Sequence, residues 1–412
     1  MKNLLQQNAD VLGLNSVTLF ISFTTVEQIL QIILLSVSII YTVDKYITLD
    51  TSSLGTSAMS YDHWKLVVNL ISPILQKEGI TIIQLGEKKC QPIEGCYIAI
   101  GQCDFNHKSY VISKSLLHIS SNNETSHIAS SYNKPSVILY PYNCYIDQFR
   151  PYWSKGDEAK LIQGPQNNPR PSYNPNESPK SINSIKPEEV ACEILDKLNL
   201  KYHGSFLSYY KTIKIGTAFH QPRIESSLTH LLDAQRLGVA SLILRMDLNF
   251  NEEVLARQLE ACPCSIISNR SISDHLIDKY SSKIIEFVYY LEDDNDPIFV
   301  KKLRSKSINT LLRSRKSEEE IQDLKLDYVD YGLIHKVPEK SKEDFSELKD
   351  KNKVYYNSNH FIIHNNKFYP STASLVRGIQ GRGSIKQEEP CEIIDDPIFW
   401  EEEEHFHLLE KK

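Results

Sequence analysis

From about residue 205 to residue 336 the chain alternates short apolar runs with amphipathic stretches, and this alternation limits the fold more than any other feature. Strands are expected at Thr212–Ala218, Ser241–Met246, Ser265–Ser268, Ile284–Leu291, Ile308–Leu312 and Tyr328–Lys336. Between them helices are expected at Ile224–Leu237 (ended by Gly238), Glu252–Ala261, Asp274–Lys283, Asp296–Leu303 and Ser317–Leu324. Parallel strands need a long crossover, usually a helix, so strict alternation predicts a parallel sheet. The expected fold for residues 205–380 is a doubly wound α/β domain, with a partial barrel as the other topology. Tyr355–Tyr369 reads as a hairpin turning at Asn365-Asn366.

Residues 61–200 carry a second alternation. Trp64, Val67, Val68, Ile71 and Leu75 recur at helical spacing after Asp62, and Gly79 closes that helix. Strands follow at Ile80–Leu85 and Tyr97–Ile100, then a helix at His107–Ser115 and a strand at Leu116–Ser120. Asn122 or Asn123 caps a short helix from Glu124, and Lys134-Pro135 leads into a strand at Ser136–Tyr140. Ligands of such sheets bind at the carboxyl ends of the strands, which places Gly86-Glu87 and the Ser121–His127 loop on one rim. A helix starting at Glu124 leaves its first amides unpaired at the positive end of its dipole. Asn122, Asn123, Thr125, Ser126 and His127 then form a candidate diphosphate cradle, with Glu124 placed for ribose hydroxyls or for capping. The same residues also make an ordinary structural cap.

The order of these elements is similar to that of the donor-binding half of family-nine, heptosyltransferase-like glycosyltransferases of GT-B architecture. The features that carry the resemblance are His63-Trp64, the strand ending in Gly86-Glu87, His127 and Ala129, Lys134-Pro135, and the helix beginning Lys186-Pro187. It covers residues 61–200, about a third of the chain. A Gly common in the family before the His is replaced here by Asn-Asn-Glu-Thr-Ser, and with about sixty residues before the unit the acceptor half is expected to be absent or replaced. The resemblance implies a Rossmann-like sheet that binds a nucleotide-activated sugar as substrate. The glycosyl group would pass to a hydroxyl of a glycan or lipid-linked acceptor. His127 and the helix N-terminus would hold the leaving diphosphate, with no metal and no further cofactor. The catalytic base is unassigned. The other reading is a non-catalytic sugar- or partner-binding protein, viral and membrane-associated, that keeps only the donor half.

Val17–Val43 is long enough to span a bilayer, although Glu27, Gln28 and Gln31 interrupt it. Residues 1–47 are expected to form a hydrophobic helix, either a membrane anchor or a buried, oligomerising helix. Residues 48–60 are expected to be a linker. The protein would be cytoplasmic, held at a membrane if residues 17–43 enter one. The formal charge of −6, from 46 basic and 52 acidic residues, argues against a nucleic-acid partner. Residues 381–412 form an acidic tail, either solvated or a docking segment anchored by Phe399, Trp400 and Phe406. Eight cysteines without a CxxC pair give no zinc site, and the Glu292–Asp296 run reads as a helix start, with a carboxylate cluster for a divalent metal as the other reading.

Overall fold

The computed structural model describes residues 44–412 apart from 54, 155–157, 165–169, 228, 234–236, 238–241, 293–295, 331, 352 and 382–388. The expected helix over 17–43 lies outside the described residues. Among those that are described, no helix is long and apolar enough to cross a membrane. The chain is mixed α/β with parallel sheets, and it divides into two compact units between Lys211 and Thr212.

The first unit is built on six strands: β1 (Tyr46–Asp50), β2 (Thr81–Leu85), β3 (Tyr97–Ile98), β4 (His118–Ser121), β5 (Ser136–Tyr140) and β6 (Ala159–Gln163). Its helices are α1 (Trp64–Lys77), α2 (Phe105–Lys114), α3 (Glu124–Ser131), α4 (Ile146–Phe149), α5 (Pro187–Lys197) and α6 (Phe206–Tyr209). All pairings in the sheet are parallel, and the strand order is 3-2-1-4-5-6. Both faces are covered. The apolar stripe of α1 (Trp64, Val67, Val68, Ile71, Leu75) and that of α5 (Val190, Ile194, Leu195) bury Ile47, Leu49, Ile82 and Val137. Val111 and Ile112 of α2, with Ile128 and Ala129 of α3, cover Tyr46, Ile83 and Leu85 on the other side.

The expected linker over 48–60 and the end of the expected 1–47 helix are overturned by β1. Tyr46–Asp50 is the inner strand of this sheet and all five residues are buried. A strand buried on both faces reads as a short apolar run, and this one directly follows a longer apolar stretch that absorbs it in the sequence.

The second unit holds β7 (Tyr210–Ile215), β8 (Arg223–Ser226), β9 (Leu242–Arg245), α7 (Glu252–Ala261), β10 (Cys264–Ser268), α8 (Asp274–Tyr280), β11 (Ile284–Tyr290), α9 (Pro297–Ser305), β12 (Asn309–Ser314), α10 (Glu318–Tyr328) and β13 (Ile334–Lys336). After these come β14 (Val354–Ser358), β15 (His360–His364), β16 (Lys367–Tyr369), α11 (Thr372–Val376), β17 (Cys391–Glu392), α12 (Pro397–Trp400) and β18 (Phe406–Lys411). One sheet runs 13-12-11-10-9-8-15-16, parallel except for the β15–β16 hairpin. Asn365 and Asn366 turn that hairpin, both at positive φ.

From β8 to β13 each strand adds on the same side, so right-handed crossovers leave α7–α10 on one face. Leu255, Ile277, Phe299, Leu303 and Tyr328 pack there on Leu244, Ile266, Phe287 and Tyr289 as one core. After β13 the chain returns and adds β15 parallel on the other side of β8, so the strand order of this sheet reverses between β8 and β15. The helix expected over 224–237 is also overturned at its start, where Arg223–Ser226 is β8; part of the remainder lies outside the described residues. Paired between Ile224 and Ser226, Glu225 is buried by partners the sequence does not reveal.

The acidic tail is corrected as well. β18 pairs antiparallel with β14 in a third sheet, of order 17-14-18-7. Phe399, Trp400 and Phe406 are fully buried with Tyr356 and Leu408, so the anchors dock within their own unit.

Candidate functional site

The strand order of the first unit reverses between β1 and β4: the chain runs outward through β2 and β3, then returns to continue through β4, β5 and β6. The crevice beyond the carboxyl ends at such a switch point is where open α/β sheets bind ligands. The predicted residues flank it. Gly86 and Glu87 follow β2, Asn122 and Asn123 follow β4, and Glu124, Thr125, Ser126 and His127 open α3. Sequence reasoning missed the segment between them, Asp50–Ser52 at the end of β1. Its signal was available in Tyr46-Ile-Thr-Leu-Asp, an aromatic and β-branched run bounded by Asp44-Lys45 and Thr51-Ser52-Ser53.

Ser52 joins the two predicted loops. Its Oγ accepts from the Glu87 amide at 3.2 Å and its carbonyl accepts from Asn123 Nδ2 at 3.2 Å. The Ser52 amide donates to Asp50 Oδ1 at 2.8 Å. Gly86 lies at φ +151°, where a Cβ would come within 3.0 Å of Cys90 Sγ, so this close approach requires glycine.

At α3 the structure changes the expected chemistry. Asn123 is the N-cap, and its Oδ1 accepts from the amides of Thr125 at 3.1 Å and Ser126 at 3.2 Å. Those two amides are committed inside the protein and are not presented to a diphosphate. The Thr125 hydroxyl also donates to Asn123 Oδ1, at 2.7 Å, and the Ser126 hydroxyl donates to the Asn123 carbonyl. Because Thr125 Oγ1 donates there, it accepts from His118 Nε2 at 3.1 Å, which leaves His118 Nδ1 to accept from Thr48 Oγ1 at 2.9 Å. Burial lowers the His118 pKa to about 3, so this bridge from β1 to α3 is neutral. Burial also lowers His127, which makes it a neutral hydrogen-bonding group instead of the cation a leaving diphosphate would favour.

A buried cation of the rim is Lys108 on α2, which the sequence did not single out. Its Nζ lies 2.6 Å from Glu124 Oε1, and its side chain is 9% exposed. Burial pulls its pKa down, but the hydrogen bond to Glu124 and the charges of Asp50, Glu124 and Glu87 outweigh that, so the ammonium is held charged. Four buried polar atoms in this region have no hydrogen-bond partner among the described residues: Asp50 Oδ2, Ser120 Oγ, Asn122 Oδ1 and His127 Nδ1. Asp50 and Ser120 are register partners on β1 and β4 and are both fully buried. Unsatisfied groups of this kind cost about 1–3 kcal/mol each. No group of three or more His, Cys, Asp or Glu suited to a metal occurs among the described residues. In the second unit, Asp296 caps α9 by accepting from the Phe299 amide at 3.0 Å, while residues 293–295 of the acidic run lie outside the described residues.

No protein-family model matches the chain, and no curated protein does. Solved structures overlap with part of it. The ADP-heptose lipopolysaccharide heptosyltransferase II of E. coli is 18% identical over 38% of this chain and 46% of that one, with a TM-score of 0.30. A family-9 glycosyl transferase of Veillonella parvula is 12% identical over 41% and 52%, with a TM-score of 0.32. MurG of Acinetobacter baumannii covers 71% of this chain and 85% of its own at 8% identity, with a TM-score of 0.22. The chain spans about half the length of the heptosyltransferase structures.

Proposed function

We propose that the first unit binds a nucleotide-activated sugar at the β1/β4 switch point and serves glycosyl transfer to an acceptor hydroxyl. The observation that carries the reading is the row of unpartnered buried polar atoms at a topological switch point. The resemblance of residues 61–200 to the family-nine donor half supports it as well. Asp50 Oδ2 and Asn122 Oδ1 can only accept, so the ligand part they suit is rich in hydroxyl donors, such as a ribose or the transferred sugar. Lys108 is then the group for the diphosphate charge, engaging it by exchanging part of its pairing with Glu124. This distribution differs from the helix-terminus cradle read from sequence, because Asn123 closes that terminus.

Isothermal titration of the full chain with UDP-, GDP-, ADP- and CMP-sugars tests the proposal. A saturable interaction with one class is expected, weakened about tenfold in Asp50→Asn and in Lys108→Ala, the loss of about one charged hydrogen bond. Absence of binding to all four classes, or binding indifferent to both substitutions, refutes it. Binding without release of nucleoside diphosphate in the presence of glycan acceptors would favour the binding-module reading.

A further inference from the structure

The larger sheet of the second unit ends at β13, and the chain reaches that edge with its apolar side chains in water. Among the described residues four large apolar side chains are more than 70% exposed, and three of them fall within eight residues just before β13: Leu326 at 79%, Val329 at 74% and Leu333 at 78%. Single exposed apolar residues are ordinary on a protein surface, but a concentration of them marks a contact. The helix sets their direction. Ile321 and Tyr328 of α10 are buried in the core and Leu324 packs beside them. Leu326 is two residues from Leu324 and two from Tyr328, about 200° around the helix from each, and so turns outward. Val329 caps α10 in helical conformation and shares the outward side with Leu326, three residues away. Leu333 lies within roughly 14 Å of Val329, the reach of four residues, and immediately precedes β13.

β13 pairs with β12 from Leu312↔Ile334 to Ser314↔Lys336, and no strand lies on its other side among the described residues. A strand at the end of a sheet presents backbone donors and acceptors that another strand can pair. The charges around it select which strand. Asp327 and Asp330 are exposed ahead of β13, while His335 and Lys336 are exposed within it. A second copy laid parallel would set Asp330 beside Asp330 and Lys336 beside Lys336. Laid antiparallel, it brings the acidic end of each copy to the basic end of the other. We infer that the β13 edge joins a second copy of this chain across a two-fold axis, with the two β13 strands antiparallel and Leu326, Val329 and Leu333 covered by the other copy. A two-fold contact is self-complementary, so each residue that supplies an acid also meets a base, and both charge contacts form twice. A stable interface buries roughly 800 Å² per partner; one strand edge and three apolar side chains are the small end of that class, so the dimer should dissociate in the micromolar range.

The test is sedimentation velocity on the full chain from about 1 to 100 μM, a range that spans a micromolar dissociation constant. A monomer–dimer equilibrium is expected, weakened about tenfold or more in Leu326→Glu and in Val329→Glu. Both side chains are exposed, so the variants should keep the wild-type circular dichroism and thermal midpoint, and loss of the dimer is not loss of fold. Asp330→Lys and Lys336→Asp should each weaken self-association, and an equal mixture of the two should restore it, because every contact in the mixed dimer again joins opposite charges. The inference is overturned by a monomer over the whole range, or by association that Leu326→Glu and Val329→Glu leave unchanged, as contact through residues 17–43 would. It is also overturned by a mixture no stronger than either charge variant alone, or by binding to phosphatidylcholine vesicles that Leu326→Glu abolishes, which would assign the apolar strip to lipid.

Discussion

In the second unit His360 is buried between two carboxylates, with Nε2 3.0 Å from Glu225 Oε1 and Nδ1 3.4 Å from Glu402 Oε2. Burial alone would lower its pKa. The charges of Glu225 and Glu402 and the bonds to them outweigh burial and raise it to about 9. Glu225 is shared with two arginines. Arg245 Nη1 donates to Glu225 Oε2 at 2.7 Å while the same guanidinium pairs with Asp247, and Arg223 Nε lies 2.9 Å from Glu225 Oε1. Glu402 also accepts from the Thr372 hydroxyl and amide at the start of α11. Neighbouring His405, 5.2 Å away between ring centroids, is lowered to about 4 by burial and by the positive charges of His360 and Arg223, so it stays neutral.

A native pKa above the unfolded value of 6.5 means that the folded state holds a proton the unfolded state releases. The contribution is therefore complete below about pH 6.5 and is lost as pH rises through 9. At 1.36 kcal/mol per unit this is roughly 3 kcal/mol across that window. Urea unfolding followed by Trp400 fluorescence at pH 6, 7.5 and 9.5 measures it. Wild type should lose stability steadily over the range. His360→Gln should be about 3–5 kcal/mol less stable at pH 6, with two buried carboxylates left short of a partner. The two proteins should converge by pH 9.5. A difference that is the same at pH 6 and pH 9.5 would refute the assignment of a charged His360.

His118 predicts the opposite slope: held neutral with a pKa of about 3, its contribution is present above pH 6.5 and lost as pH falls toward 3, about 2 kcal/mol by pH 5. His118→Asn should flatten the acid limb of the first unit's unfolding curve, read by Trp64 fluorescence, and an unchanged limb would contradict this. Asn123→Ala removes the cap on Thr125 and Ser126 and the bond to Ser52, and should cost about 1–2 kcal/mol in chemical denaturation. Gly86→Ala should destabilise by about 1–3 kcal/mol through its φ and the contact with Cys90, measurable as a lower thermal midpoint.

Local periodicity carried much of this fold into the sequence. The stripe from Trp64 to Leu75, the Asn123 cap, the strand Ser136–Tyr140 and the helix Glu252–Ala261 are all short-range patterns, and the structure keeps them at or near the expected residues. The alternation that specifies parallel sheets is local in the same sense. Strand order is not. Whether successive crossovers step in one direction or reverse depends on which edges meet, so the reversals between β1 and β4 and between β8 and β15 became visible only once the strands were paired. The same holds for the acidic C-terminal segment, whose charges predict solvent while its pairing with β14 and the burial of Trp400 place it in a core. Gly86, Glu87 and the Asn122–His127 loop were legible as one rim. Lys108 and Asp50 were not, because an ion pair and an unpartnered carboxylate oxygen are properties of neighbours distant in sequence. The sequence by itself determined the strands and helices whose patterns repeat within a few residues, but not β1, β8 or β18, which lay inside stretches that read as helix, linker or tail. Only the tertiary structure decided where polar groups lack partners, because that depends on what folding brings beside them.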